Sequence, residues 1–157
     1  MQKVFQNWLD KNSYLEIKVV ESDEFSYNVI SDVINITTEL SYQYLTVLEY
    51  AKELGLRYNP GPWVLAFFHE VGHSETLLDD SLDEYWEAYF DRQDIMTISD
   101  YVRHPIESAA TEWAVNYINE NTEEVKQMVK DIDAAMGSRV AEMSEEEMIK
   151  AFVRSKV

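Results

Sequence analysis

The chain has 157 residues, 46% of them hydrophobic and 13% aromatic, and a formal net charge of −17. That is enough for one domain with a sizeable core, and the chain is too apolar for disorder. The charge argues against binding nucleic-acid phosphates or anionic membrane surfaces, and the lack of cysteine excludes disulfides and thiolate ligands.

Val4, Phe5, Trp8 and Leu9 recur at helical spacing and predict a short amphipathic helix over 3–11, ended by Asn12 and Ser13. Its stretch MQKVFQNWLDKN has no uninterrupted apolar core and does not read as a signal peptide. Residues 14–20 alternate apolar and polar types and predict a strand. After a polar turn at 21–24, strands are expected over 25–30 and 33–36, with Ser31 and Asp32 at the join. Three short strands with tight links suggest an antiparallel meander. Tyr44, Val47, Leu48, Ala51 and Leu54 then mark a helix, with Ser41 as N-cap and Gly55 at its end. Pro62 suits the first position of the next helix, where its missing N–H costs nothing, and that helix should reach Leu78.

Residues 81–93 carry Tyr85, Trp86, Tyr89 and Phe90 among acidic residues. The spacing of Trp86 and Phe90 favours an ordinary amphipathic helix over an irregular cover above a site. His104 and Pro105 open a helix to Asn119 with an apolar stripe of Ile106, Ala109, Ala110, Trp113, Ala114 and Tyr117. Asn121 and Thr122 cap a further helix that stops before Gly137. Residues 144–147 form a capping box for a last helix bearing Met148, Ile149 and Phe152. No repeat, linker or membrane-spanning stretch interrupts the pattern, so a single domain over 1–157 is expected, in a reducing cytoplasm.

The informative stretch is WVLAFFHEVGHSE, residues 63–75, which holds His69, Glu70 and His73 as H-E-x-x-H. Positions four apart lie on one helix face, so both imidazoles can reach one metal ion with Glu70 beside it as a base. Val64, Leu65, Ala66, Phe67, Phe68 and Val71 wrap that helix in apolar side chains, which implies burial. Buried imidazoles and a buried carboxyl need partners, and a Zn2+ ion supplies one. Gly72 costs about 1 kcal/mol against alanine in a helix interior, which fits a close backbone crossing there. A site that works on a substrate needs a third ligand, and the candidates are His104, Glu107 and Glu112. Helical geometry puts Glu107 at the edge of the apolar stripe and Glu112 on the far side. His104 sits at the helix start, where the stripe does not decide. Glu107 is favoured and His104 is the alternative.

The segment Glu107 to Ile118, ESAATEWAVNYI, together with H-E-x-x-H, resembles the ImmA/IrrE-type metallopeptidases. In that family H-E-x-G-H is followed by a helix reading E-x-x-A-N-x-F-A. Glu107, Ala110, Trp113 and Ala114 match, with tryptophan for phenylalanine, and Thr111 stands where asparagine is usual. Residues 32–36 are similar to the family's edge strand. The helix around 44–54 is extra, the interval from His73 to Glu107 is long, and the usual Leu-Leu-Met-Pro end is absent. The resemblance implies an α+β, mostly helical, zincin-like domain, here with a small antiparallel meander before the active-site helix. It implies a phage or bacterial origin and a gluzincin-type site: His69, His73 and Glu107 on zinc, with Glu70 as general base in peptide-bond hydrolysis. Some members of the family cleave or inactivate DNA-binding repressors. His104 and Tyr101 are candidate donors to the oxyanion, and the strand at 33–36 could hold a protein or peptide substrate by main-chain pairing. Two rival readings are a catalytically silent module that captures a protein and, more remotely, an acidic nucleic-acid mimic.

Overall fold

In the computed structural model, which describes residues 1–13, 15–39, 41–92, 97–137, 146–147 and 149–150, the N-terminal helix α1 (Gln2–Asn12) buries Phe5, Trp8 and Leu9. This is the face its spacing predicts. Phe5 stacks on Phe67 with ring centroids 4.1 Å apart, and Trp8 meets Phe67 and Phe68 edge-on. Truncating such a ring to alanine typically costs about 3–5 kcal/mol. The Trp8 indole N–H, which needs a partner once buried, donates to Glu124 at 2.8 Å and to the Tyr117 hydroxyl at 3.2 Å.

The sheet departs from the expected meander. Its strands are β1 (Lys18–Glu21), β2 (Ser26–Asn28) and β3 (Val33–Ile36), in the order β1-β3-β2. β1 runs parallel to β3, with Lys18 opposite Val33, and β2 runs antiparallel to it, with Ser26 opposite Asn35. The turn between β2 and β3 is closed locally. The Asn28 side chain accepts from the Ile30 and Ser31 N–H groups, and Asp32, at φ 50°, accepts from the Tyr27 hydroxyl at 2.7 Å. β1 therefore takes the other side of β3. Its own outer edge is covered by α1: Gln2 donates to the Val19 carbonyl, while Gln6 donates to the Ile17 carbonyl and accepts from the Val19 N–H. Val33–Ile36, expected as an edge, is thus the central strand, and among the described residues no further strand pairs with the outer edge of β2. Alternation reveals the two faces of a strand but not which neighbour takes which edge.

Five helices follow through residue 120. Helix α2 (Tyr42–Glu53) starts where the Ser41 hydroxyl accepts from the Gln43 N–H, and Gly55 follows its end at φ 98°. Helix α3 (Pro62–Thr76) is buried at every position from Pro62 to Gly72, as its all-round apolar composition requires. A 3₁₀ turn (Asp80–Leu82) leads into α4 (Asp83–Arg92). Helix α5 (Ile98–Arg103), capped by Thr97, has no counterpart in the periodicity reading, because six residues are too few to establish a period. Helix α6 (Pro105–Glu120) makes the most extensive helix–helix contact, against α3. Helix α7 (Thr122–Met136) ends at Gly137 in the left-handed conformation.

The backbone is helical at 146–147 and 149–150, while Ser144, Glu145, Met148 and Phe152 of the expected last helix lie outside the described residues. The class is α+β and mostly helical, with the small sheet preceding the long helices. Among the described residues no helix is long and apolar enough to cross a membrane.

Candidate metal centre

The site is set by how closely α3 and α6 cross. A Cβ placed on Gly72 would lie 2.3 Å from the Ala110 carbonyl oxygen, so the two backbones touch at this glycine. Glu107 precedes Ala110 by one turn on α6, and the crossing carries it under the face of α3 that bears His69 and His73. Glu107 Oε2 lies 2.8 Å from His69 Nε2 and 3.2 Å from His73 Nε2. One ligand atom from each of the three residues falls within 4.8 Å of the others. Glu107 is buried at 3% exposure, whereas Glu112 is exposed. The stripe geometry of α6 therefore separates the two acids as expected.

The donor set fits a cation. Thr111 Oγ1 donates to the Glu107 carbonyl oxygen at 3.1 Å and sits 3.0 Å from His69 Nδ1. With its own proton committed, the hydroxyl accepts the Nδ1–H of His69. A neutral His69 then presents a lone pair on Nε2 toward the carboxylate oxygen of Glu107. Two acceptors at 2.8 Å require a proton or a cation between them. Burial alone would raise the Glu107 carboxyl, but the His73 and His69 rings outweigh it and hold the group well below the usual carboxylate range. Burial likewise opposes charge on His73, and the Glu107 and Glu70 carboxylates overcome it, raising the ring. Glu70 moves the other way. Burial raises it against the pull of His73 and His69, and the Tyr27 backbone N–H bonds to its carboxyl.

A cleft of about 670 Å³ opens onto these groups, lined by His69, Glu70, His73 and Glu107 together with Phe25, Tyr27, Tyr44, Trp86, Tyr89 and Tyr101. Of the two candidate oxyanion donors, Tyr101 lines the cleft, its hydroxyl 3.0 Å from that of Tyr89. His104 does not line it. Its Nδ1 accepts the Ile106 N–H at 3.2 Å as the N-cap of α6, and its ring packs beside Tyr89 and Tyr85. The third-ligand position goes to Glu107, whose oxygen joins His69 and His73 within 4.8 Å in a group that does not include His104.

Tyr89 and Thr111 are the site residues that sequence reasoning passed over. Tyr89 is buried, and its hydroxyl donates to Glu107 Oε1 at 2.6 Å. Burial and the Glu107 charge both push that phenol up, so it stays a donor. α4 is the amphipathic helix that the spacing of Trp86 and Phe90 favours, and it also covers the site. Thr111 could have been noticed: it lies one helical turn after Glu107, on the same face.

No protein-family model matches the chain, and neither does any curated protein or solved structure. The geometry stands by itself: a buried His-His-Glu group that could hold a metal ion.

Proposed function

We propose that this protein is a zinc-dependent peptidase of the gluzincin type. One observation carries the reading. His69 Nε2, His73 Nε2 and Glu107 Oε2 converge in an open cleft, with the Glu70 carboxyl among them. Two imidazoles and one carboxylate with room for a further ligand form the donor set of catalytic zinc sites. The resemblance of the two motifs to ImmA/IrrE-type metallopeptidases supports the same reading.

His69, His73 and Glu107 would hold the ion. When bound, zinc supplies Lewis-acid polarisation of a carbonyl and lowers the pKa of a water to about 7. Glu70, its proton affinity raised by burial, takes the proton of the attacking water and returns it to the leaving amine. The Tyr27 backbone N–H keeps that carboxyl oriented. Tyr89 holds Glu107 Oε1, so that Oε2 faces the two rings. Tyr101 lines the cleft with its proton given to the Tyr89 oxygen, and it would serve the developing oxyanion by turning that proton away from Tyr89. The outer edge of β2 reaches the cleft at Ser26 and Tyr27, and with the Tyr27 N–H bonded to Glu70 an extended substrate would pair there through the strand's remaining main-chain groups, a role that the doubly paired β3 cannot fill.

The test is metal analysis joined to turnover of a peptide library. Wild type and Glu70→Gln should both retain stoichiometric zinc through gel filtration, Glu107→Ala should lose it, and only wild type should cut. Full cleavage by Glu70→Gln, or zinc retained by Glu107→Ala, would end this reading.

A further inference from the structure

The cleft carries a charge and shape pattern that no catalytic step uses. Part of its lining comes from the links before β2 and after β3, and includes Asp23, Glu24 and Glu39, all exposed. Among the described residues, no lysine or arginine lines the cleft. Among the described residues, none of these three acids is held in an ion pair. Glu24 lies close enough to Tyr44 for its field, together with that of Glu70, to act on the hydroxyl. Another part of the lining, from α4 and α5, is apolar. Trp86 and Phe90 stack with centroids 5.7 Å apart, and Phe90 and Ile98 remain 63% and 44% exposed. The exposed Phe90 ring, stacked on the half-buried Trp86, and Ile98 give this wall of the cleft an apolar surface of the kind a partner covers.

We infer that the cleft takes an extended, cationic protein segment. A bulky apolar side chain of that segment lies on Trp86, Phe90 and Ile98, and a lysine or arginine is directed to Asp23, Glu24 and Glu39. The inference rests on the peptidase reading, since it names the substrate of that same cleft. Charge complementarity decides the occupant. An anionic segment, or a nucleic acid, would bring like charge against unpaired carboxylates and against a chain of net charge −17. A cation is drawn in by the same field, which low-dielectric cleft walls concentrate. The apolar wall sets the second requirement, because a small polar side chain would leave Phe90 in water.

The experiment uses zinc-loaded Glu70→Gln protein, which binds without cutting, and fluorescence anisotropy. The probes are three fluorescein-labelled ten-residue peptides: a central phenylalanine flanked by lysines, the same peptide with glutamates for the lysines, and the first with serine for phenylalanine. The lysine–phenylalanine peptide should bind roughly tenfold more tightly than its glutamate counterpart, with the gap narrowing as salt is raised. Glu24→Lys combined with Glu39→Lys should reverse that preference. Phe90→Ser should weaken the phenylalanine peptides and leave the serine one unchanged. Failure of the lysine–phenylalanine peptide to bind, equal affinity for both charge types, or a preference that the paired reversal does not move would overturn the inference. Cleavage by wild type is scored separately. Charge-selective binding with no peptide ever cut keeps this inference and removes the peptidase reading, whereas cleavage blind to charge does the opposite.

Discussion

Replacing Gly72 with alanine sets two effects of opposite sign against each other. In an uncrowded helix interior the change stabilises by about 1 kcal/mol. Here the new Cβ would sit 2.3 Å from the Ala110 carbonyl oxygen and 2.9 Å from both the carbonyl carbon and the Cα of Ala110. Even a favourable carbon–oxygen contact spans about 3.3 Å, so α3 and α6 must part by about 1 Å. The obstacle is backbone, which cannot swing aside as a side-chain end would. Overpacking of this kind costs about 1–3 kcal/mol, and after the helix-propensity gain a net loss of about 0–2 kcal/mol remains. The same displacement acts on the site, because Glu107 rides on α6 one turn from the clash. A shift of about 1 Å is half the length of a zinc–ligand bond of about 2.0 Å, so zinc affinity should fall by roughly tenfold or more. Urea unfolding in the presence of EDTA reads the stability term free of metal linkage, and chelator competition reads the affinity. A Gly72→Ala protein as stable as wild type, with unchanged zinc affinity, would refute the close crossing and with it the placement of Glu107 beneath the histidines.

Tyr89→Phe deletes the 2.6 Å hydrogen bond to Glu107 Oε1, and zinc affinity should drop about 10–100-fold in chelator competition while the fold persists. An unchanged affinity would show that the bond orients nothing. Thr111→Val keeps the side-chain shape but removes the acceptor for His69 Nδ1, so ¹⁵N shifts of the His69 ring should reveal mixed tautomers in the zinc-free protein. A single tautomer, as in wild type, would assign the ring's orientation to packing alone. Burial and the bond to Glu124 push the Tyr117 hydroxyl up to about 12 from its ordinary 10.0. The folded group holds its proton after the unfolded one has released it. Its contribution is therefore full below pH 10.0 and is lost between pH 10.0 and about 12. Urea midpoints for wild type should fall more steeply over that interval than those for Tyr117→Phe, and parallel curves would remove Tyr117 from the account.

Much of the site could be read from the chain because helical periodicity converts residue number into direction. H-E-x-x-H had to place His69 and His73 on one face of α3, and the stripe on α6 had to turn Glu107 inward and Glu112 outward. The apolar wrap of residues 64–71 foretold burial, and Gly72 foretold a close approach, since a residue costing helix stability needs a steric reason to be there. Caps and breakers did the same for element ends: Ser41 starts α2, Pro62 starts α3 and Gly137 ends α7. In each case the deciding interaction is local, within about one helical turn.

Tertiary structure decided what local rules cannot reach. In the order β1-β3-β2 two glutamines of α1 occupy the outer edge of β1, and no alternation pattern encodes that contact. Tyr89 meets Glu107 only because α4 folds back over α6, and a phenol aimed at a carboxylate 18 positions away leaves no spacing signature. His104 shows the converse: a histidine in a suggestive place caps its own helix through Nδ1. The sequence by itself determined which side chains point inward from each helix. Which of them meet was settled by the packing of helix on helix and strand on strand, because side-chain direction is a property of one element and contact is a property of two.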